Sequence, residues 1–298
     1  MMIPGTSDGL RRVAAVVSAI KGVAVLAIVL VLVFLSAIAQ SVLLITKSSL
    51  SDRLPHLFYR AFARLLGIRI DVTGDAAGSR PLLLVSNHTS WIDIIVINAL
   101  MPTSFIAKRE VGEWPVIGLG ARLMRTFFVE RTRRTAAHGE AREIARRMVG
   151  RLPLVLFAEG TSNDGNRVLP FRSALLGAAQ MAASAEPKTG AWVQPMSVAY
   201  TGFNGIPMGR AQRPQVAWYG DMNLVPHLWG VVTGRPIDVS VNFGKPVSVT
   251  AETDRKVLAA ELEQSVRDML QGALHGRKGE ETGGKQRGKP PVGAVQTA

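Results

Sequence analysis

The segment Asn87-His88-Thr89-Ser90-Trp91-Ile92-Asp93 is the part of this chain best suited to moving a proton. It follows an apolar run, Pro81 to Val85, that reads as a buried strand, and it opens a helical run from Trp91 to Leu100. A histidine and a carboxylate five positions apart across such a turn can come within hydrogen-bonding reach. His88 then suits a general base acting on a hydroxyl. Asp93 would fix the ring tautomer and balance the imidazolium that forms. Imidazole exchanges protons near neutral pH, which is what such a role requires. The same spacing, Ser90 to Asp93, is that of a capping box, which would explain Asp93 by helix-end hydrogen bonding alone.

Two further segments carry groups that could bind a substrate. Phe157-Ala158-Glu159-Gly160-Thr161-Ser162-Asn163-Asp164-Gly165-Asn166 follows the apolar run Leu154 to Phe157. Gly160 permits close backbone approach, and Thr161 and Ser162 offer hydroxyls and amides to a polar head group. Pro170-Phe171-Arg172 brings a guanidinium to the same loop; an ordinary Gly/Asn/Asp turn is the alternative reading. Lys108-Arg109-Glu110, after the run Thr103 to Ala107, and Arg131, closing Phe127 to Arg131, supply cations able to clamp a phosphate or carboxylate. Arg133 and Arg134 read as solvated surface charge.

The elements that must position these groups are legible as apolar patterns. Ile68 to Thr73 alternates as a strand should, and Pro81–Val85, Thr103–Ala107 and Leu154–Phe157 read as short buried strands. Helical runs cover Pro55 to Leu66, Trp91 to Leu100 and Ala136 to Val149. Strand, helix and strand at this spacing predict an α/β fold with a mostly parallel central sheet flanked by helices. Later strands are expected at Trp192–Tyr200, Gln215–Tyr219 and Ile237–Phe243. A last helix is expected from Asp254 to Leu270, capped by Thr253.

Ahead of this domain, Gly22 to Thr46 contains no charged residue. About twenty apolar residues span a bilayer, so one membrane helix or a tight re-entrant pair fits here. Ala37-Ile38-Ala39 also has the look of a signal cleavage site, but the apolar run resumes at Val42. Basic residues flank both ends, so charge leaves the orientation open. The expected organisation is a membrane-anchoring segment over 1–50, an α/β domain over 51–274 and a disordered basic tail over 275–298.

The chain of 298 residues has no cysteine, which removes thiolate nucleophiles, disulfides and cysteine-held metals. Its net charge of +13 attracts polyanions. Without a helix-turn-helix, zinc-finger or aromatic RNA-binding signature, and with an apolar anchor, anionic membrane lipid is the expected partner rather than nucleic acid.

Taken together these residues resemble the glycerolipid acyltransferase family, best known for the lysophosphatidic acid acyltransferases. The resemblance runs from Leu82 to Ala199 through four blocks in order: Asn87 to Asp93, Lys108 to Arg131, Phe157 to Thr161, and Val193-Gln194-Pro195-Met196. It implies transfer of a fatty acyl group to a lysolipid hydroxyl, with acyl-CoA or acyl-carrier protein as donor and no metal or cofactor. It also implies an N-terminal helical membrane element at the cytoplasmic membrane and an active site facing the cytosol. By block matching, His88 and Asp93 take the catalytic pair, and Lys108, Arg131, Glu159, Gly160 and Thr161 the acceptor head-group site. Ser162 and Arg172 depart from the common pattern, as does Ala158 where proline is usual. Asp164 to Phe171 looks more like the branch that acylates lyso-ornithine lipids. The expected acceptor is 1-acyl-sn-glycerol-3-phosphate, giving phosphatidic acid, with lyso-ornithine lipid the alternative. A silent lipid-binding protein on the same fold is the alternative of another class.

Overall fold

A computed structural model describes residues 6–113, 117–123, 126–129, 144–150, 152–185 and 190–276. The uncharged N-terminal run forms one helix, α1 (Thr6–Ile45), rather than a re-entrant pair. At 1.5 Å per residue it is about 60 Å long. It does not stand clear of the domain. Lys21 Nζ donates to Gly234 O, Val25 and Val29 are buried, and Gln40 Nε2 donates to the carbonyls of Ser51 and Leu123. One stripe of α1 is therefore bound to the domain along roughly 28 Å. The other faces expose Val16, Ile20, Val23, Leu30 and Phe34, and the helix is long and apolar enough to cross a membrane.

The strands follow the apolar runs closely: β1 (Ile68–Thr73), β2 (Leu82–Ser86), β3 (Ser104–Lys108), β4 (Phe127–Val129), β5 (Leu154–Phe157), β6 (Ala191–Phe203), β7 (Ile206–Pro207), β8 (Ile237–Phe243) and β9 (Val247–Val249). Among the described residues they form one sheet in the order β1-β8-β6-β2-β5-β3-β4, with β7 and β9 also paired to β6. β6 runs parallel to β2 but antiparallel to β8, so the sheet is mixed and mostly parallel. Between the strands lie α2 (Leu54–Leu65), α3 (Ile92–Leu100), α4 (Arg109–Glu113), α5 (Ile117–Leu123), a helical segment α6 at 144–148, α7 (Gly177–Ala185), α8 (Leu224–Thr233) and α9 (Arg255–Leu274). The expected helix start at Ala136 lies outside the described residues, as does the tail from Arg277.

Alternating strand residues feed two cores, as the period-two geometry requires. Leu82, Leu84, Val155 and Phe157 pack with residues of α1, α2, α3 and α8 on one face. Leu83, Val85, Leu154 and Leu156 pack with residues of α7 and α9 on the other. β2 is central and buried on both sides, which is why it reads as a continuous apolar run.

Two local expectations are corrected. Gln215 to Tyr219 does not form a strand: Pro214 lacks an N–H and sits in a 3₁₀ turn, Arg213–Gln215. Beyond it, Trp218 N–H donates to Thr89 O of the His88 loop instead of to a strand ladder. The cap of α9 is Asp254, whose carboxylate accepts from Lys256 and Val257 N–H, while Thr253 Oγ1 accepts from Thr250 N–H.

Candidate active site

The carboxyl ends of the parallel strands β2, β5 and β3 lie at one edge of the sheet, where clefts of open α/β folds form. β2 stops pairing through its backbone at Ser86, opposite Met196. The Asn87 carboxamide then stands in for the ladder, donating to Val198 O and accepting Val198 N–H, both at 2.9 Å. That clamp fixes where the next residue leaves the sheet, and the next residue is His88.

His88 Nδ1 lies 2.8 Å from Asp93 Oδ2. The same oxygen accepts the N–H groups of Thr89 at 2.7 Å and Ser90 at 3.0 Å. The other oxygen, Oδ1, accepts the Tyr200 hydroxyl at 2.6 Å. Asp93 is fully buried, and four donors compensate the burial of its carboxylate. Because a carboxylate only accepts, Nδ1 carries the imidazole proton and Nε2 presents its lone pair. The ring stacks on Phe157 with centroids 4.0 Å apart and keeps 22% of its side chain exposed. An imidazole oriented in this way, partly exposed and with Nδ1 committed to Asp93, can serve as a proton acceptor for a hydroxyl.

The capping-box reading survives only in half. Asp93 does accept Ser90 N–H, but Ser90 Oγ is buried without a partner and α3 has no side-chain cap. The carboxylate is spent on the histidine loop and Tyr200. Burial together with Asp93 pushes the Tyr200 phenol well above its usual range, so it stays a donor. Tyr200 escapes sequence reasoning because it lies 107 residues away in β6. An inward-facing tyrosine requires some polar partner, but only the fold says which.

Glu159, at the end of β5, points inward. Its carboxyl accepts His88 N–H at 3.2 Å and lies 2.5 Å from Asn163 Nδ2, while Asn163 N–H donates to His88 O. Gly160 (φ 75°) and Gly165 (φ 74°) take left-handed conformations, and a Cβ at Gly165 would come within 2.9 Å of Thr89 Cγ2. The two loops are thus packed into one unit. Thr161 and the side chain of Arg172 are exposed and Ser162 is half-buried, while Arg172 N–H donates to Ala158 O. Lys108 ends β3, its backbone in register with Val129 of β4. Arg131 lies outside the described residues.

Burial pushes the Glu159 carboxyl from its ordinary value of 4.5 up to about 8. Between those values the folded protein holds a proton that the unfolded chain has released. This contribution to stability is therefore greatest at acid pH and is lost as pH rises from 4.5 toward about 8. Glu159→Gln is expected to flatten that slope. Melting temperatures of the detergent-solubilised wild type and variant across this range check it, and parallel curves would contradict it.

Residues 69–199 match the family model described as Acyltransferase. A lyso-ornithine lipid O-acyltransferase from Brucella abortus is 52% identical over 239 residues, covering 80% of this chain and 90% of that protein. A 1-acyl-sn-glycerol-3-phosphate acyltransferase from Neisseria meningitidis is 30% identical over 213 residues, covering 71% of this chain and 78% of that protein. The crystal structure of the 1-acyl-sn-glycerophosphate (LPA) acyltransferase from Thermotoga maritima has the same fold, with a TM-score of 0.58 at 20% identity, covering 87% of this chain and 96% of that one. Identity of this extent reaches well beyond the loops of the site, and it makes the chain a member of the acyltransferase family, a lysolipid O-acyltransferase.

Proposed function

We propose that this enzyme acylates the free hydroxyl of a lyso-ornithine lipid, with His88 as general base and Asp93 holding it. The observation that carries the choice of acceptor is the 52% identity to the Brucella abortus enzyme, against 30% to the Neisseria meningitidis one. The identities thus support the alternative acceptor better than the phosphate acceptor expected from the sequence.

In this mechanism the acceptor hydroxyl gives its proton to His88 Nε2 as its oxygen attacks the thioester carbonyl. The tetrahedral oxyanion collapses, the C–S bond breaks, and the imidazolium returns the proton to the leaving thiolate. Acyl-CoA or acyl-carrier protein serves as donor; the steps as written need no metal or cofactor. Asp93 keeps the tautomer and offsets the imidazolium charge, and Tyr200 positions Asp93.

The loop after Glu159 supports a zwitterionic head group. An ornithine acylated on its α-amine retains a carboxylate and an ammonium. Asp164 is pushed up by partial burial, but bonds from the Asn166 side chain and N–H, with Arg167 and Arg210 nearby, outweigh this and hold its carboxyl below the usual range. It offers a fixed anion beside Gly160, Thr161 and Ser162. Lys108, Arg131 and Arg172 supply cations for the carboxylate, and Glu159 shapes the loop from beneath. α1 anchors the enzyme at the membrane, with the site on the cytosolic side where the donor thioesters are found.

Purified enzyme given lyso-ornithine lipid and lysophosphatidic acid in parallel, with labelled donor, is expected to prefer the first in kcat/KM by roughly 10²-fold or more. Product from lysophosphatidic acid alone would overturn the acceptor assignment and leave the acyl-transfer chemistry standing.

A further inference from the structure

α8 is an unusual surface helix for a chain of net charge +13. From Met222 to Gly234 there is no Asp, Glu, Lys or Arg. Its outer face nonetheless exposes Val225 (75%), Trp229 (39%) and Pro226. Its inner face is fully used: Val231 and Val232 join the core, and buried His227 accepts the Trp91 indole N–H at 3.0 Å. Burial pushes His227 down, so its ring is the neutral acceptor this bond requires.

The exposed face is not isolated. Gly22 of α1 lies against Trp229 and Thr233, so closely that a Cβ there would fall within 2.6 Å of the Thr233 methyl and 3.2 Å of the indole. Val16, Val17, Ile20 and Val23 of α1, all within two turns of Gly22, are exposed as well, so both helices carry exposed apolar residues near their contact. At its margin a cleft of about 330 Å³ opens between the two helices and is lined by Lys21 and Arg235. The Arg235 guanidinium lies 5.0 Å over the Phe203 ring. Apolar residues flanked by tryptophan and then by cations match the order of acyl chain, interface and anionic head group.

We propose that α8 is a second membrane-contact element, an in-plane helix that enters the same leaflet as the exposed face of α1. Its partner is the head-group boundary of an anionic bilayer. The His227–Trp91 bond then ties the bilayer surface to the loop carrying His88, three residues before Trp91. A lysolipid can reach that loop by lateral movement without its chain crossing water. The proposal rests on α1 being the membrane anchor.

The absence of cysteine allows a direct test on the full chain. Single cysteines replace Val225 in α8, Phe34 in α1 (66% exposed) and Gln264 on α9, across the sheet. Each carries an environment-sensitive dye, in vesicles of phosphatidylcholine and phosphatidylglycerol containing spin-labelled lipids. Quenching at 225 and 34 but not at 264 is the expected result. Quenching at 34 alone overturns the role of α8 and leaves the anchor intact, whereas quenching at neither removes the anchor as well. A label at 225 shielded from both lipid and aqueous quenchers would mean that another protein copy covers the face, which also overturns the proposal. The double variant Val225→Asp, Trp229→Asp is expected to lose about tenfold in rate on vesicle-borne acceptor while keeping its rate in detergent micelles. An equal loss in both settings would contradict the membrane role.

Discussion

His88→Ala is expected to lower kcat by about 10²–10⁴-fold while leaving the protein folded and membrane-bound. The imidazole pairs a partly exposed ring, its Nδ1 committed to Asp93, with a buried carboxylate that can offset the positive charge gained on protonation. Its removal costs little structure: the ring is partly exposed and stacked on one face of Phe157, and the loop backbone stays held by Glu159 and Asn163. A change in stability of about 1 kcal/mol is expected, within the range for such sites. Single-turnover rates with saturating acceptor and donor, alongside a melting curve, separate the two effects. Near-normal turnover would remove His88 from the chemistry.

Asp93→Asn is expected to lower kcat on the order of 10²–10⁴-fold with only a modest loss of stability. The reason lies in the donors around it. Thr89 and Ser90 N–H groups both point at Oδ2, a position only an oxygen can fill. The amide oxygen is therefore pinned there, still accepting from His88 Nδ1, and its NH₂ turns to Tyr200, whose hydroxyl can rotate to accept. The tautomer survives, and the bond lost is the one the buried Tyr200 O–H gave to Oδ1, which accounts for the modest loss of stability. The negative charge that offsets the imidazolium is gone. If Asp93 served only as a helix cap, the variant would lose roughly 1 kcal/mol of stability and keep its turnover. Rate and melting temperature measured on the same sample distinguish these outcomes.

Much of this enzyme could be read directly from its residues. The alternation in Ile68–Thr73 and the short apolar runs at Leu82, Ser104 and Leu154 are strands because side-chain period and burial are local properties of sequence. His88 and Asp93 were legible for the same reason, since five residues across one turn leave few arrangements. The long uncharged run is one helix, which satisfies its own backbone groups as an apolar setting would require. Local pattern failed where a distant partner competed. Val216 and Ala217 have strand composition, but Pro214 and the carbonyl of Thr89 claimed that backbone. Thr253 had capping chemistry, and Asp254 beside it took the role with a charged acceptor.

What only the tertiary structure decided is the set of contacts between segments far apart in the chain. Sequence placed Glu159 near a head group; the fold turned its carboxyl inward against His88 N–H and raised its pKa by burial. Sequence gave no partner to Tyr200, which β6 delivers to Asp93 across 107 residues. It also could not show that α1 lies along the domain and meets α8 at Gly22. Such contacts depend on how the sheet orders its strands, and a periodic pattern carries no information about which distant element it will face. The candidate pair His88 and Asp93 was thus legible locally, while the environment around it came from closure of the fold.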